Sequence, residues 1–227
     1  EALENDVEIG KVFLQKNNSY LDNIKSKIQK KNIQVSFVPV EKLNRLTKNN
    51  HQGIVATISP ISTLDFNDLE NKLKTTKSLL ILVLDGITDT KNFGAIIRSA
   101  ECFDVDLIII PKTGSSTING ETIKSSSGAI FNIPICKVNH VKDAIFLLKE
   151  NEINLVGTSD KGSESLYKHK FNSRTALIVG SEGKGVNKSV LKLCDKVVSI
   201  VMHGRVSSLN VSVATGIFLS EFRRQLN

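Results

Sequence analysis

Three short stretches gather the side chains that bind anions, orient hydroxyls or carry protons, and each follows a charge-free apolar run. The first is Asp85-Gly86-Ile87-Thr88-Asp89-Thr90-Lys91-Asn92-Phe93-Gly94, which leads into a helical pattern carrying Arg98. That order puts Asn92 and Arg98 within two turns of each other near a helix start, and Gly94 lets another backbone come close. The plainer reading is that Asp89 or Asn92 caps the helix and Arg98 is a surface cation. The second stretch is Gly180-Ser181-Glu182-Gly183-Lys184-Gly185. It is not a Walker loop, because Val186-Asn187 follows Gly185 where Lys and Ser/Thr are needed, and no G-x-G-x-x-G fingerprint follows any strand. What remains is a glycine-rich turn with Glu182 in the middle, either a plain left-handed turn or one that bares its amides to a ligand. The third stretch runs from Met202 to Ser212. Ser207 or Ser208 is the expected helix cap. Yet Ser208, Asn210 and Ser212 cluster where a helix start needs one such residue. His203 is the titratable group here and reads as a loop histidine.

These stretches need a scaffold that brings distant loops together. From Ser78 onward, apolar runs at Leu79–Leu84, Leu107–Ile110, Ile133–Val138, Ile153–Val156, Ala176–Val179 and Val197–Val201 alternate with helical patterns. The helices are expected at Asn92–Phe103, Gly120–Ser126, Val141–Lys149, Asn187–Leu193 and Ser208–Leu226. This alternation predicts an α/β fold, a mostly parallel sheet with helices on both faces. Ligands of such sheets sit beyond the carboxyl ends of the strands. The first sixty residues predict a small α/β unit: strands Lys11–Leu14, Val35–Val38 and His51–Ile58, with helices Ser19–Gln29 (capped by Ser19) and Val40–Leu46. Lys42, Arg45 and Lys48 recur every third residue and are expected on one side of the second helix, as a solvated face or a phosphate-contacting one. Pro60–Thr63 breaks the pattern. The expected domains are therefore 1–59, a linker 60–77 containing a short polar helix, and 78–227.

The chain has 227 residues, 40% hydrophobic and 23% charged, with a formal net charge of +7. That is a globular composition, which excludes a disordered chain or a fibre. No apolar run approaches the roughly 20 residues of a membrane helix, and Glu1–Gly10 is acidic without an apolar stretch, so a soluble intracellular protein is expected. Cys102, Cys136 and Cys194 and the four histidines are scattered, which argues against a disulfide framework or a metal site. The positive charge suits a polyanion partner.

The three stretches, in this order, resemble the motifs of the SpoU branch of the SPOUT RNA methyltransferases. The match is carried by Asn92-x-Gly94-x-x-x-Arg98, Gly180-Ser181-Glu182-Gly183 and Ser207-Ser208-Leu209-Asn210-Val211-Ser212-Val213-Ala214. The front unit, through His51-Gln52-Gly53-Ile54-Val55-Ala56, is similar to the substrate-binding domain of the bacterial 23S rRNA guanosine 2′-O-methyltransferase subgroup. The chain departs from the family pattern at Thr90 and Val201, where proline is usual, and it begins inside what would be a preceding helix. The resemblance implies a parallel-sheet catalytic domain with a C-terminal trefoil knot, preceded by an RNA-binding domain shortened at its N-terminus. It further implies a cytoplasmic homodimer, S-adenosylmethionine as methyl donor, no metal, and transfer to a ribose 2′-hydroxyl of rRNA. Arg98, Asn92, Glu182, Ser208 and Asn210 are the implied catalytic group. Thr158, Gly180, Ile200, Met202 and Leu209 are the implied cofactor contacts. Lys42, Arg45, Lys48 and Arg98 are expected to contact RNA. A tRNA substrate and a non-catalytic role in ribosome assembly stand as alternatives.

Overall fold

The structure, a computed structural model, describes every residue except 1, 6, 76, 77 and 227. It divides into two compact units, Glu1–Ile61 and Ser62–Asn227. In the first unit, strands β1 (Ile9–Gln15), β2 (Gln34–Val38) and β3 (Ile54–Ile58) form one sheet in the order β2-β1-β3, with helices α1 (Asp22–Lys30) and α2 (Val40–Leu46) between them. β1 runs parallel to β2 and antiparallel to β3. Val12, Leu14 and Ile28 make a small core to which Leu21, Ile24 and Val35 are packed.

Three sequence expectations are corrected here. Asn18, not Ser19, starts the first helical segment: its side chain accepts from Tyr20 N, and a 3-10 turn at Ser19–Leu21 precedes α1. The third strand begins at Ile54, because Gln52 and Gly53 take positive φ of 49° and 84°, outside any strand conformation. Lys48 lies beyond α2, whose C-cap Thr47 is already extended, so only Lys42 and Arg45 belong to that helix.

The second unit contains helices α3 (Phe66–Thr75), α4 (Thr90–Cys102), α5 (Gly120–Ser125), α6 (Val141–Glu150), α7 (Lys188–Leu191) and α8 (Val211–Leu226). Its strands are β4 (Leu79–Asp85), β5 (Leu107–Pro111), β6 (Ile135–Val138), β7 (Asn154–Thr158), β8 (Glu164–Ser165), β9 (Arg174–Gly180) and β10 (Lys196–Ser199). They form one sheet in the order β6-β5-β4-β9-β7-β10-β8, with every pairing parallel. This is the expected α/β class. Strands such as β5 are buried along their whole length, which is why they are bare of charge.

The expected linker is corrected as well. Leu69 and Leu73 of α3 are 0% and 1% exposed and join the core with Leu79, Ile145 and Leu148. Leu64 adds a backbone bond from its N to Ile135 O at 2.8 Å. One apolar stripe on an otherwise polar helix thus anchors the segment from residue 62 to the second unit, while residues 76 and 77 fall outside the described ones. The expected helix at 187–193 is one turn long, and the last strand stops at Ser199 rather than Val201.

Candidate active site

The loops leaving β4, β9 and β10 open at the carboxyl ends of their parallel strands. β4 and β9 are direct neighbours, registered from Leu79↔Arg174 to Asp85↔Gly180, so their loops start side by side. Asp85 fastens them: its Oδ2 accepts from Asn187 N at 2.8 Å. The sequence reading did not single out Asp85, although a carboxylate closing an apolar run is a visible signal.

At the start of α4, Asp89 is extended and accepts from Asn92 N at 2.7 Å. Asp89 therefore caps the helix, and the side chain of Asn92 is left for other work. At the start of α8 the cap is Asn210 rather than Ser207 or Ser208. Its Oδ1 accepts from Ser212 N at 2.9 Å and Ser212 Oγ at 2.6 Å, and its carbonyl accepts from Ala214 N at 3.0 Å. The other end of the same amide reaches outward. Nδ2 donates to Asn92 Oδ1 at 2.9 Å and to Glu182 Oε1 at 2.5 Å. Residues of all three sequence motifs meet at this one group.

Glu182 is held by a tight turn. Gly185 N bonds Ser181 O at 2.8 Å, and Gly183 and Gly185 have φ of +80° and +65°. Gly180 is required by close approach: a Cβ there would lie 1.9 Å from Gly185 C and 2.0 Å from Val186 N. Arg98 is exposed on α4, and Ser208 is exposed in the loop before α8. Neither is hydrogen-bonded to the Asn92–Asn210–Glu182 group among the described residues. His203 is exposed in the same loop.

Of the expected cofactor contacts, Thr158 ends β7 at 8% exposure and donates to Ile178 O at 3.0 Å, beside Gly180 at the end of β9. Ile200 is half-buried, and Met202 and Leu209 are exposed at 37% and 38%. Among the described residues no backbone hydrogen bond engages residues 200 to 209. Free amides and carbonyls among apolar side chains fit S-adenosylmethionine, whose purine offers both an edge to hydrogen-bond and an apolar face. No group of three His, Cys, Asp or Glu suited to a metal is found among the described residues. Burial pushes the Cys136 thiol up to about 12, with Asp65 and Asp68 adding to it, and the Cys194 thiol up to about 11. Neither serves as a thiolate nucleophile at neutral pH.

Lys42, Arg45 and Lys48 are exposed on the first unit, with the Lys42 ammonium 5.8 Å from the centre of the Phe13 ring. No described helix is long and apolar enough to cross a membrane.

Comparison with known proteins matches these features closely. The chain is 40% identical over 175 residues to the 23S rRNA (guanosine-2′-O-)-methyltransferase RlmB of Escherichia coli K12, covering 77% of this chain and 72% of that one. The Yersinia pestis protein of the same name is 41% identical over 77% of this chain and 71% of its own. Among solved structures, the SpoU methyltransferase AviRb of Streptomyces viridochromogenes, in complex with AdoMet, shares the fold with a TM-score of 0.83 at 23% identity. That match covers 99% of this chain and 86% of the other. The A. aeolicus TrmH/SpoU tRNA modifying enzyme is 30% identical with a TM-score of 0.60, over 70% of this chain and 81% of its own. Residues 1–64 match the family described as RNA 2′-O ribose methyltransferase substrate binding. Residues 79–220, which hold all three motifs joined by Asn210, match the SpoU rRNA Methylase family, and the chain belongs to it.

Proposed function

We propose that the protein transfers a methyl group from S-adenosylmethionine to the ribose 2′-hydroxyl of a guanosine in 23S rRNA. The observation that carries the reading is the junction of Asn92, Glu182 and Asn210, which unites the three motifs of a SpoU chain at the carboxyl edge of its sheet. The 40% identity to the Escherichia coli 23S rRNA (guanosine-2′-O-)-methyltransferase favours rRNA. A tRNA substrate is the second reading, favoured by the likeness to the A. aeolicus enzyme.

When bound, S-adenosylmethionine supplies an electrophilic methyl on a positively charged sulfur. Thr158, Gly180, Ile200, Met202 and Leu209 would hold it. The remaining tasks belong to the chain: align the 2′-oxygen, help its proton leave and keep water out. Alignment alone contributes roughly 7–11 kcal/mol in a near-attack geometry. Arg98 is exposed and free of internal partners among the described residues, so its guanidinium forks onto the phosphate beside the target ribose and stabilises charge growing on the 2′-oxygen. It does not act as the base, since a guanidinium stays protonated, and the proton passes to phosphate or water. Asn92 and Ser208 position the ribose. Glu182 orients the Asn210 amide.

The reading includes a C-terminal trefoil knot, expected of the family, and a cytoplasmic homodimer. Support for the dimer comes from the apolar side chains exposed around the site, Val201, Val206, Leu209 and Val213 among them. The test is transfer of radiolabelled methyl to rRNA and tRNA from a strain lacking the protein, with nuclease mapping of the labelled ribose. Label in 23S rRNA, lost in Arg98→Ala, is expected. Label in tRNA alone would give the second reading, and no label in any RNA would overturn both.

A further inference from the structure

The first unit holds a crevice of about 550 Å³ that the catalytic chemistry does not use. It lies where the parallel strands β1 and β2 end and α1 begins, between Lys16, Asn17, Lys25 and Phe37. A volume in this range suits a ligand about the size of one nucleotide. Its wall contains an exposed aromatic that the fold does not need. Phe37 stands on the edge strand β2 at 47% exposure, with the Lys25 ammonium 5.1 Å from its ring centre. Tyr20, on the 3-10 turn between two lining residues, is 96% exposed. Two bare rings on one small unit cost solubility and add little to a core made of Val12, Leu14 and Ile28.

The polar lining points to the kind of occupant. Lys16 and Lys25 face a single carboxylate, Asp22, so the crevice is net positive. Asn17 takes the left-handed conformation at φ +56°, which turns the β1–α1 loop tightly and keeps its amide at the crevice. Aromatic faces, amide groups and two cations match an unpaired nucleotide: rings for the base, amides for its edge, lysines for the adjoining phosphates. The opposite face of β1 is arranged differently. There the Lys11 and Lys42 ammoniums both lie over Phe13, at 5.4 and 5.8 Å, so two cations share one ring, whereas Lys25 alone lies over Phe37.

We propose that this crevice captures an unpaired base of the RNA substrate by stacking on Phe37, with Lys16 and Lys25 on the flanking phosphates. The proposal rests on the RNA substrate reading above. Phe37→Ala, in the full chain, is tested by fluorescence anisotropy with a short labelled single-stranded RNA of mixed sequence and with its duplex. Stacking lost at one base weakens single-strand binding roughly 5- to 150-fold. Duplex binding, the melting temperature and cofactor binding are expected to stay unchanged, and Phe37→Tyr to restore affinity. Lys16→Ala and Lys25→Ala should each lower the salt slope for the single strand by about 0.7.

Methyl transfer to rRNA is measured alongside. Wild-type transfer with single-strand binding unchanged in Phe37→Ala would overturn the crevice and leave the methyltransferase reading standing. No wild-type transfer, with the same selective loss of binding, would overturn that reading and leave the crevice standing. Equal losses on single strand and duplex would overturn base stacking. A changed sedimentation coefficient in Phe37→Ala would assign the crevice to a second copy of the chain and overturn it too.

Discussion

The Asn210 amide donates to Asn92 Oδ1 at 2.9 Å and to Glu182 Oε1 at 2.5 Å, while its own oxygen caps α8. One side chain thus does two separable things. Asn210→Ser keeps a good cap and removes the amide donor. The expected outcome is a melting temperature close to wild type with methyl transfer reduced roughly 10- to 100-fold. Asn210→Ala should lose the same activity and about 1 kcal/mol of stability in addition. Calorimetry and radiolabel transfer on both variants separate the effects. Full turnover in Asn210→Ser would show that the amide contacts are dispensable.

Arg98 is exposed, so its replacement should leave folding alone. Arg98→Ala is expected to cost roughly 100- to 1,000-fold in transfer. Arg98→Lys tests the fork: lysine keeps the charge but presents no planar pair of donors. If single-turnover rates for Arg98→Lys stay near wild type, bidentate contact is not the role.

Gly180 and Gly183 make a matched pair of alanine substitutions. At Gly180 a Cβ meets backbone at 1.9 Å, so Gly180→Ala must push the 185–186 segment away from β9. A loss of about 1–3 kcal/mol is expected, together with cofactor binding. At Gly183 a Cβ meets nothing within 4 Å, and only its φ of +80° resists alanine. Gly183→Ala should cost about 1–2 kcal/mol and spare cofactor binding. Chemical denaturation and cofactor titration of both variants provide the check.

Thiol labelling at neutral pH should find one fast cysteine, Cys102, which is exposed on α4. Cys136 and Cys194, with thiols pushed up to about 12 and about 11, should react only after unfolding. Mass spectrometry of labelled native and denatured protein decides this. Fast labelling of Cys136 in the native chain would contradict its burial under α3.

The end of α8 should be acid-sensitive. Bonds from Arg224, at 2.7 Å to each carboxylate oxygen, and from Gln225 at 2.8 Å hold the Glu221 carboxyl down at about 2, against an ordinary 4.5. A depressed folded value gives stability that is complete above 4.5 and lost as pH falls toward 2. Glu221→Gln should therefore melt a few degrees lower at pH 7, and the gap from wild type should close between about pH 4.5 and 2. A gap that stays constant with pH would rule out the carboxylate as its source.

Most of the sheet was legible because strands covered on both faces carry no charge, as the run from Leu79 to Leu84 illustrates. Its weakest member was not. β8 is two residues long, and Glu164-Ser165 has no pattern to read. α3 looked like a linker because Leu69 and Leu73 are sparse among lysines and acids, and only its packing reveals which unit it serves. The site was legible as residues but not as bonds. The cluster of Ser208, Asn210 and Ser212 stood out, yet nothing local tells which of several good caps is used. Asn210 is selected by partners far along the chain, Asn92 standing 118 positions away. The role of Asp85 was hidden for the same reason, since its partner Asn187 is 102 positions distant.

The parallel pairing of β4 with β9, and the closure of the site by the cap of α8, also govern when the enzyme can exist during its own manufacture. Strands β4, β5 and β6 make one side of the sheet, are consecutive in the chain and can associate early. β9 must then enter beside β4 after a long excursion through β5, β6, β7 and β8, and such non-local pairings form slowly. The amide that joins the three loops is made later still, at position 210, just ahead of α8. A nascent chain thus carries the loops of β4 and β9 well before the side chain that ties them together has been made.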